Sequence, residues 1–181
     1  MGDIGRAVAR KAYGLGFRVI CWSHSLVPGR RTPEGYDIVT YEDLLKQSDV
    51  VSYHTALVPA THHLLNADNI KLLKPDCIVI NTSRGPVVDT RALAAALEAG
   101  SIWGAGLDVF EEEPVSPDDP ILKAPNTLLT PHAAYWSEEA GHELRVRTAQ
   151  NAIDVVTGIE PHDCLNKQVF TPDGKLKKLA K

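Results

Sequence analysis

The chain has 181 residues, 44% of them hydrophobic and 23% charged, with a formal charge of -4. That length supports one domain with a real core, the composition excludes disordered and fibrous classes, and the acidic balance argues against a nucleic-acid binder, whose affinity would rest on a basic surface. Cys21, Cys77 and Cys164 fit neither a disulfide framework nor a zinc site, and no apolar stretch nears the ~20 residues of a membrane helix, so a cytoplasmic, metal-free protein is expected.

In chain order, Gly2-Asp3-Ile4-Gly5 leads straight into a helix predicted over 3–13, with Ile4, Val8 and Ala12 on one face. Glycines at a helix start let backbone N–H groups approach a pyrophosphate, which the helix dipole also favours. Taken alone, the glycine pair equally fits a turn before any packed helix. The full dinucleotide fingerprint is Gly-x-Gly-x-x-Gly after a strand, and Gly2 and Gly5 match its second and third glycines. The sequence thus opens inside the motif, and Met1 is expected to be an internal methionine of a longer protein.

Apolar runs at 17–22, 49–53, 77–81, 103–108 and 127–130 predict strands; they lack polar alternation, as strands covered on both faces do. Between them, helices are predicted over 41–47, 66–73 and 89–99, the last closed by Gly100. This alternation predicts an α/β fold, a Rossmann-type doubly wound parallel sheet lacking its first strand. Ser137 as N-cap, with Glu138 and Glu139 in the first turn, opens a long helix over 137–157 that Gly158 and Pro161 end. Residues 1–160 read as a dinucleotide-binding domain and 161–181 as a tail, with a basic, solvated end at 175–181.

The second strand of such a fold ends in an acid that bonds the adenosine ribose of NAD. Here Ser23 occupies that place. Serine can still bond a ribose hydroxyl, and His24, Arg30 or Arg31 can receive a 2′-phosphate, so NAD and NADP both remain open.

Three stretches carry the chemistry: Asn81-Thr82-Ser83-Arg84-Gly85, Asp108-Val109-Phe110-Glu111-Glu112-Glu113-Pro114 and Pro131-His132-Ala133-Ala134. Each follows a predicted strand, and together they supply a cation, a carboxylate and an imidazole. A fixed Arg⁺ can hold and polarise a 2-oxo acid, while an imidazole backed by a carboxylate delivers the proton that accompanies hydride transfer. Glu111 and Glu112 read as solvated loop residues. His54 fits a packed strand-end position, and His62, His63, His142 and His162 carry no motif.

These motifs in this order resemble the D-isomer-specific 2-hydroxyacid dehydrogenases, specifically their nucleotide-binding domain. Further carriers are the run from Ser52 to Thr61, Leu73-Lys74-Pro75, Val88-Asp89 and Gly106-Leu107-Asp108. The Pro131 to Ser137 run and Leu165-Asn166-Lys167 also look like the branch containing the C-terminal-binding corepressors. The resemblance implies that Arg84 binds the 2-oxo acid, Glu113 supports His132, and His132 is the general acid or base. It implies cofactor contacts at Gly2, Asp3, Ile4 and Gly5 around the pyrophosphate and at Ser23 on the ribose. Further contacts fall at Thr55 and Thr61, at Thr82, Ser83 and Arg84 near the nicotinamide ribose, and at Asp108, His132 and Ala134 around the carboxamide. It further implies a homodimer and a second, substrate-gripping domain outside this sequence, without which poor activity is expected. A dinucleotide-sensing interaction protein and an inactive fragment are the alternatives to an oxidoreductase.

Overall fold

The β-branched run Ile78–Asn81 forms β4, an inner strand of a four-stranded parallel sheet in the order β3-β4-β5-β6. It pairs with β3 (Val50–Tyr53) on one side and β5 (Gly104–Leu107) on the other, and β5 pairs in turn with β6 (Thr127–Leu129). The computed structural model describes residues 1–171 and 173–175; most of the basic end, 176–181, lies outside them. Two compact units result, Met1–Ala134 and the segment from Tyr135 on.

Register fixes where the loops emerge. Tyr53 pairs with Asn81, Asn81 with Leu107, and Leu107 with Leu129, so four strands end level at one sheet edge. With neighbouring strands ~4.8 Å apart, loops leaving that edge are brought together whatever their separation in sequence. A separate parallel pair, β1 (Ile20–Cys21) and β2 (Asp37–Ile38), completes the strands among the described residues.

Helix α1 (Asp3–Gly14) matches its prediction to within a residue, and α2 (Tyr41–Gln47) coincides with it. Helix α3 (Thr90–Glu98) is N-capped by the Asp89 carboxylate, which accepts from the Ala92 amide, and ends at Gly100 with φ +64°. Its Leu93, Ala94 and Leu97 pack with Val51, Val79, Leu107 and Ile121 in the main core. A smaller cluster of Ala9, Cys21, Tyr36 and Ile38 seals α1 against the β1–β2 pair.

Two expectations need correction, and one strand was not foreseen. The helix predicted over 66–73 is only a 3-10 turn at Ile70–Leu72. Asn66 Oδ1 accepts from the amides of Asp68 and Asn69, and Asn69 bonds back to Asn66 and Leu64, so side chains take backbone partners that a helix would need. The strand predicted over 17–22 pairs only at Ile20–Cys21, because its partner β2 offers two residues. Strand β2 itself, held by Arg31 on Asp37 and by Gly29 and Arg30 bonding Ile38, had no run to reveal it.

In the second unit, Ser137 caps α4 (Glu138–Val156) by accepting from the Ala140 amide. No described helix is long and apolar enough to cross a membrane.

Candidate functional site

The site is assembled from the loops that leave the level sheet edge. Asn81, fully buried at the end of β4, organises the first: its Oδ1 accepts from the amide and hydroxyl of Ser83, and its Nδ2 donates to the Arg84 carbonyl. Its own carbonyl accepts from the Asp108 amide on the next strand. Arg84 therefore projects from a turn anchored in the core, with Nη1 donating to the Ser83 carbonyl at 2.7 Å. Gly85 follows because nothing larger fits; a Cβ there would lie inside the Phe110 carbonyl of the neighbouring loop. The loop carrying Arg84 and the loop carrying Glu113 thus meet backbone to backbone.

Asp108, buried at the end of β5, organises the loop after β6. One carboxylate oxygen accepts from the Thr130 hydroxyl and the Ala133 amide, and the other accepts from the Ala134 amide at 2.9 Å. Burial would push its acidity the other way. The Thr130 hydroxyl, the Ala134 and Ala133 amides and the nearby His132 nonetheless hold its carboxyl below the usual aspartate range. These bonds clasp the chain on both sides of His132, whose own φ is +53°. A left-handed non-glycine residue costs about 1–3 kcal/mol and persists only where its surroundings over-determine it.

Glu113 completes the arrangement. Its Oε2 lies 2.7 Å from His132 Nδ1, and its Oε1 accepts from the Phe110 amide at 3.0 Å. The His132 bond foremost, then the Phe110 amide and the charges of His132 and Arg84, hold the Glu113 carboxyl below its ordinary range. An ionised carboxylate can only accept, so Nδ1–H of His132 is the donor and Nε2 is the ring atom presented outward. A cation, a carboxylate and an imidazole thus stand on three adjacent strands, with the Arg84 charge felt at Glu113.

On the other side of β4, Thr55 follows β3, and its hydroxyl is buried with no hydrogen-bond partner among the described residues. A buried hydroxyl without a partner costs free energy unless a ligand or water takes it up. Helix α1 begins close by, Gly5 facing the His54 Cβ. Gly2 is its N-cap in extended conformation, no side chain caps its first amides, and the space around Gly2 is open. An uncapped twelve-residue helix beside an unsatisfied hydroxyl suits the anionic middle of a dinucleotide.

Thr61 differs from Thr55. Its buried hydroxyl donates to the Ala56 carbonyl at 2.6 Å and accepts from the Val58 amide, holding the loop shape. Ser23 stands past the end of β1 with its hydroxyl 3.3 Å from that of Ser25. Arg31 is drawn back onto Asp37 at 2.9 Å, while the His24 ring sits edge-on to Trp22. His54 is half-buried, bonds the Ser52 hydroxyl at 2.9 Å, and is made less basic by burial.

Two residues that the sequence leaves without a role also take part. Glu111, expected in solvent, accepts from the Thr90 amide and hydroxyl and pairs with His63 Nε2 at 2.8 Å. No sequence signal marks this pair, since its members stand 48 positions apart in separate loops.

Comparison with known proteins identifies the family. Residues 1–134 match the family model described as D-isomer specific 2-hydroxyacid dehydrogenase, NAD binding domain. The chain is 43% identical over 169 residues to a glyoxylate reductase of Korarchaeum cryptofilum, an alignment covering 93% of this chain and 51% of that protein. Among solved structures, the TT0316 protein of Thermus thermophilus superposes with a TM-score of 0.82 at 40% identity, over 90% of this chain and 50% of that one. D-lactate dehydrogenase of Aquifex aeolicus, solved with NAD and lactic acid, superposes with a TM-score of 0.78 at 33% identity, over 87% of this chain and 51% of that one. The chain spans about half the length of the curated relatives it matches. It belongs to the D-isomer specific 2-hydroxyacid dehydrogenase family, within which residues 1–134 form the NAD binding domain.

Proposed function

We propose that the protein works as an oxidoreductase on a small 2-oxo or 2-hydroxy acid, with Arg84, Glu113 and His132 as the groups that bind and protonate it. The observation that carries this reading is the 2.7 Å contact between Glu113 and His132 beside the Arg84 charge. Bound NAD(P)H supplies the hydride. Arg84 offers the remaining N–H groups of its guanidinium to the substrate carboxylate, a geometry suited to bidentate binding. His132, its Nδ1–H held by Glu113, gives the Nε2 proton to the developing alkoxide and takes it back in the reverse direction. Glu113 fixes the tautomer and offsets the imidazolium charge.

The cofactor would lie with its diphosphate at Asp3, Ile4 and Gly5, taking the unpartnered Thr55 hydroxyl, and with its adenosine ribose at Ser23. Thr82, Ser83, Asp108 and Ala134 would flank the nicotinamide end. Because Arg31 is committed to Asp37, a 2′-phosphate would fall to Ser23, His24 and Arg30. Glyoxylate, after which the similar archaeal protein is named, is the first substrate to try. A homodimer and a cytoplasmic setting belong to the same reading.

The test is NADH or NADPH oxidation with glyoxylate, hydroxypyruvate and pyruvate, by wild type and His132→Gln. Loss of a general acid is expected to slow turnover ~10²–10⁴-fold while dinucleotide affinity is unchanged. Equal turnover in the variant would remove His132 from the mechanism. Cofactor-driven dimerisation without turnover would favour a dinucleotide-sensing interaction protein instead.

A further inference from the structure

Glu111 stands outside the groups that would touch substrate or cofactor, yet three loops of the site meet on its carboxylate. Oε1 accepts from the amide and the hydroxyl of Thr90, at 2.9 and 2.7 Å, at the start of α3. Oε2 pairs with His63 Nε2 at 2.8 Å, and His63 belongs to the loop after β3 that also carries Thr55 and Thr61. The His63 backbone is left-handed at φ +47°, and its amide donates to the Pro86 carbonyl at 2.7 Å, just past Arg84 and Gly85. Glu111 itself lies in the loop that follows β5, two residues before Glu113. Three of the four loops at the sheet edge are therefore tied through one carboxylate, and the fourth is already clasped by Asp108.

We infer that Glu111 is a positioning residue, a strap that holds the 108–114 loop so that Glu113 meets His132 at bonding distance. The inference rests on the reading of Glu113 and His132 as the acid–base pair. Its mechanics follow from the short lever: Phe110 abuts Gly85, Glu111 anchors to Thr90 and His63, and only Glu112 separates that anchor from Glu113. The Glu111 side chain is 27% exposed. Burial alone would push its carboxyl above the ordinary range, but the bonds from His63 and Thr90 outweigh it and keep the carboxyl below the usual glutamate range, so the strap is an anion near neutrality.

A carboxyl titration of Glu113, followed by ¹³C NMR in the 181-residue chain, tests this without turnover or cofactor. Two effects of Glu111→Ala push in opposite directions. Removing a neighbouring negative charge alone lowers the Glu113 midpoint, whereas loosening its bond to His132 raises it. The strap predicts a rise toward the ordinary glutamate range. Glu111→Gln, whose amide can still accept from Thr90 and donate to a neutral His63, is expected to suppress that rise. Where Glu111→Ala fails to fold, Thr90→Val decides: it removes one bond to Glu111 with no change of charge and is expected to give a smaller rise. An unmoved or lowered midpoint in the folded Ala variant, or in Thr90→Val if that variant stands in for it, overturns the inference. A chain whose oxo-acid reduction is equal in wild type and His132→Gln yet shows the rise would refute the catalytic reading and leave the strap intact.

Discussion

Asp108→Asn probes the clasp around His132 most cleanly, because it changes one atom type at a buried position. The native carboxylate accepts three hydrogen bonds from the loop after β6. An asparagine can keep the two on one oxygen, from Thr130 and Ala133, but turns an amide donor toward the Ala134 N–H. One bond to a charged acceptor, worth about 1.5–3 kcal/mol, is lost, and the facing amide is left unpaired. Taking about 2 kcal/mol as the working figure, the unfolding equilibrium shifts roughly 30-fold at pH 7. Urea denaturation at pH 7 and hydrogen exchange at Ala133 and Ala134 measure it, with faster exchange expected first at Ala134.

The pH dependence has a definite sign. The Asp108 carboxyl titrates below its ordinary value of 3.8 in the folded chain, so its stabilisation is present in full above that value and is lost as pH falls through the lower folded value. The gap between wild type and Asp108→Asn should therefore narrow on acidification through that window. A variant within about 0.5 kcal/mol of wild type at pH 7, the range of ordinary surface substitutions, with unchanged exchange at Ala134, would refute the reasoning.

Other positions separate fold from function. Gly85→Ala sets a methyl against the Phe110 carbonyl, backbone on both sides, so it should lower stability by about 3 kcal/mol or more, read from the denaturation midpoint. Thr55→Val removes a hydroxyl with no partner in the fold and should leave stability within about 0.5 kcal/mol of wild type while weakening NADH binding several-fold. Thr61→Val, whose hydroxyl shapes its loop, should instead cost about 1–3 kcal/mol of stability. Ser23→Asp restores an acid at the end of β1 and should shift the ratio of NADH to NADPH affinity toward NADH by about tenfold, measured by fluorescence titration; a ratio unmoved would detach Ser23 from the ribose.

What the sequence made legible follows from how local each signal is. The four strands of the main sheet announce themselves as short apolar runs, as Ile78-Val79-Ile80 does, although the expected cover on both faces fails at Val50 and Leu128, which are exposed. Helix α4 carries its start signal in Ser137, which caps it, while the caps of α2 and α3, Thr40 and Asp89, emerge from the structure. The misplaced 66–73 helix has helical periodicity too, but the asparagines at 66 and 69 spend their side chains on the turn, a competition that apolar spacing does not register. Strand β2 is two residues long and exists through its partners, so no pattern could mark it.

The site divides the same way. Arg84, Glu113 and His132 stand in motifs, and the level ends of β4, β5 and β6 explain why motifs far apart in sequence share one edge. The clasp of Asp108 on Thr130, Ala133 and Ala134 and the strap of Glu111 on His63 and Thr90 are bonds between loops. Their partners are chosen by strand register, which periodicity alone leaves unassigned. Glu111 and Glu112 are chemically identical neighbours, and only the position of His63 and Thr90 distinguishes them.

The convergence of loops on one dinucleotide is most directly tested by titrating the ¹⁵N-labelled chain with NADH and following every backbone amide. Shifts should gather at Asp3 to Gly5, Thr55, Ser83 and Arg84, Asp108 and His132 to Ala134, saturating with one common affinity. The apolar groove lined by Ile70, Ala92 and Ala96, away from the sheet edge, should stay silent. Shifts centred on that groove, or scattered without saturation, would contradict the account.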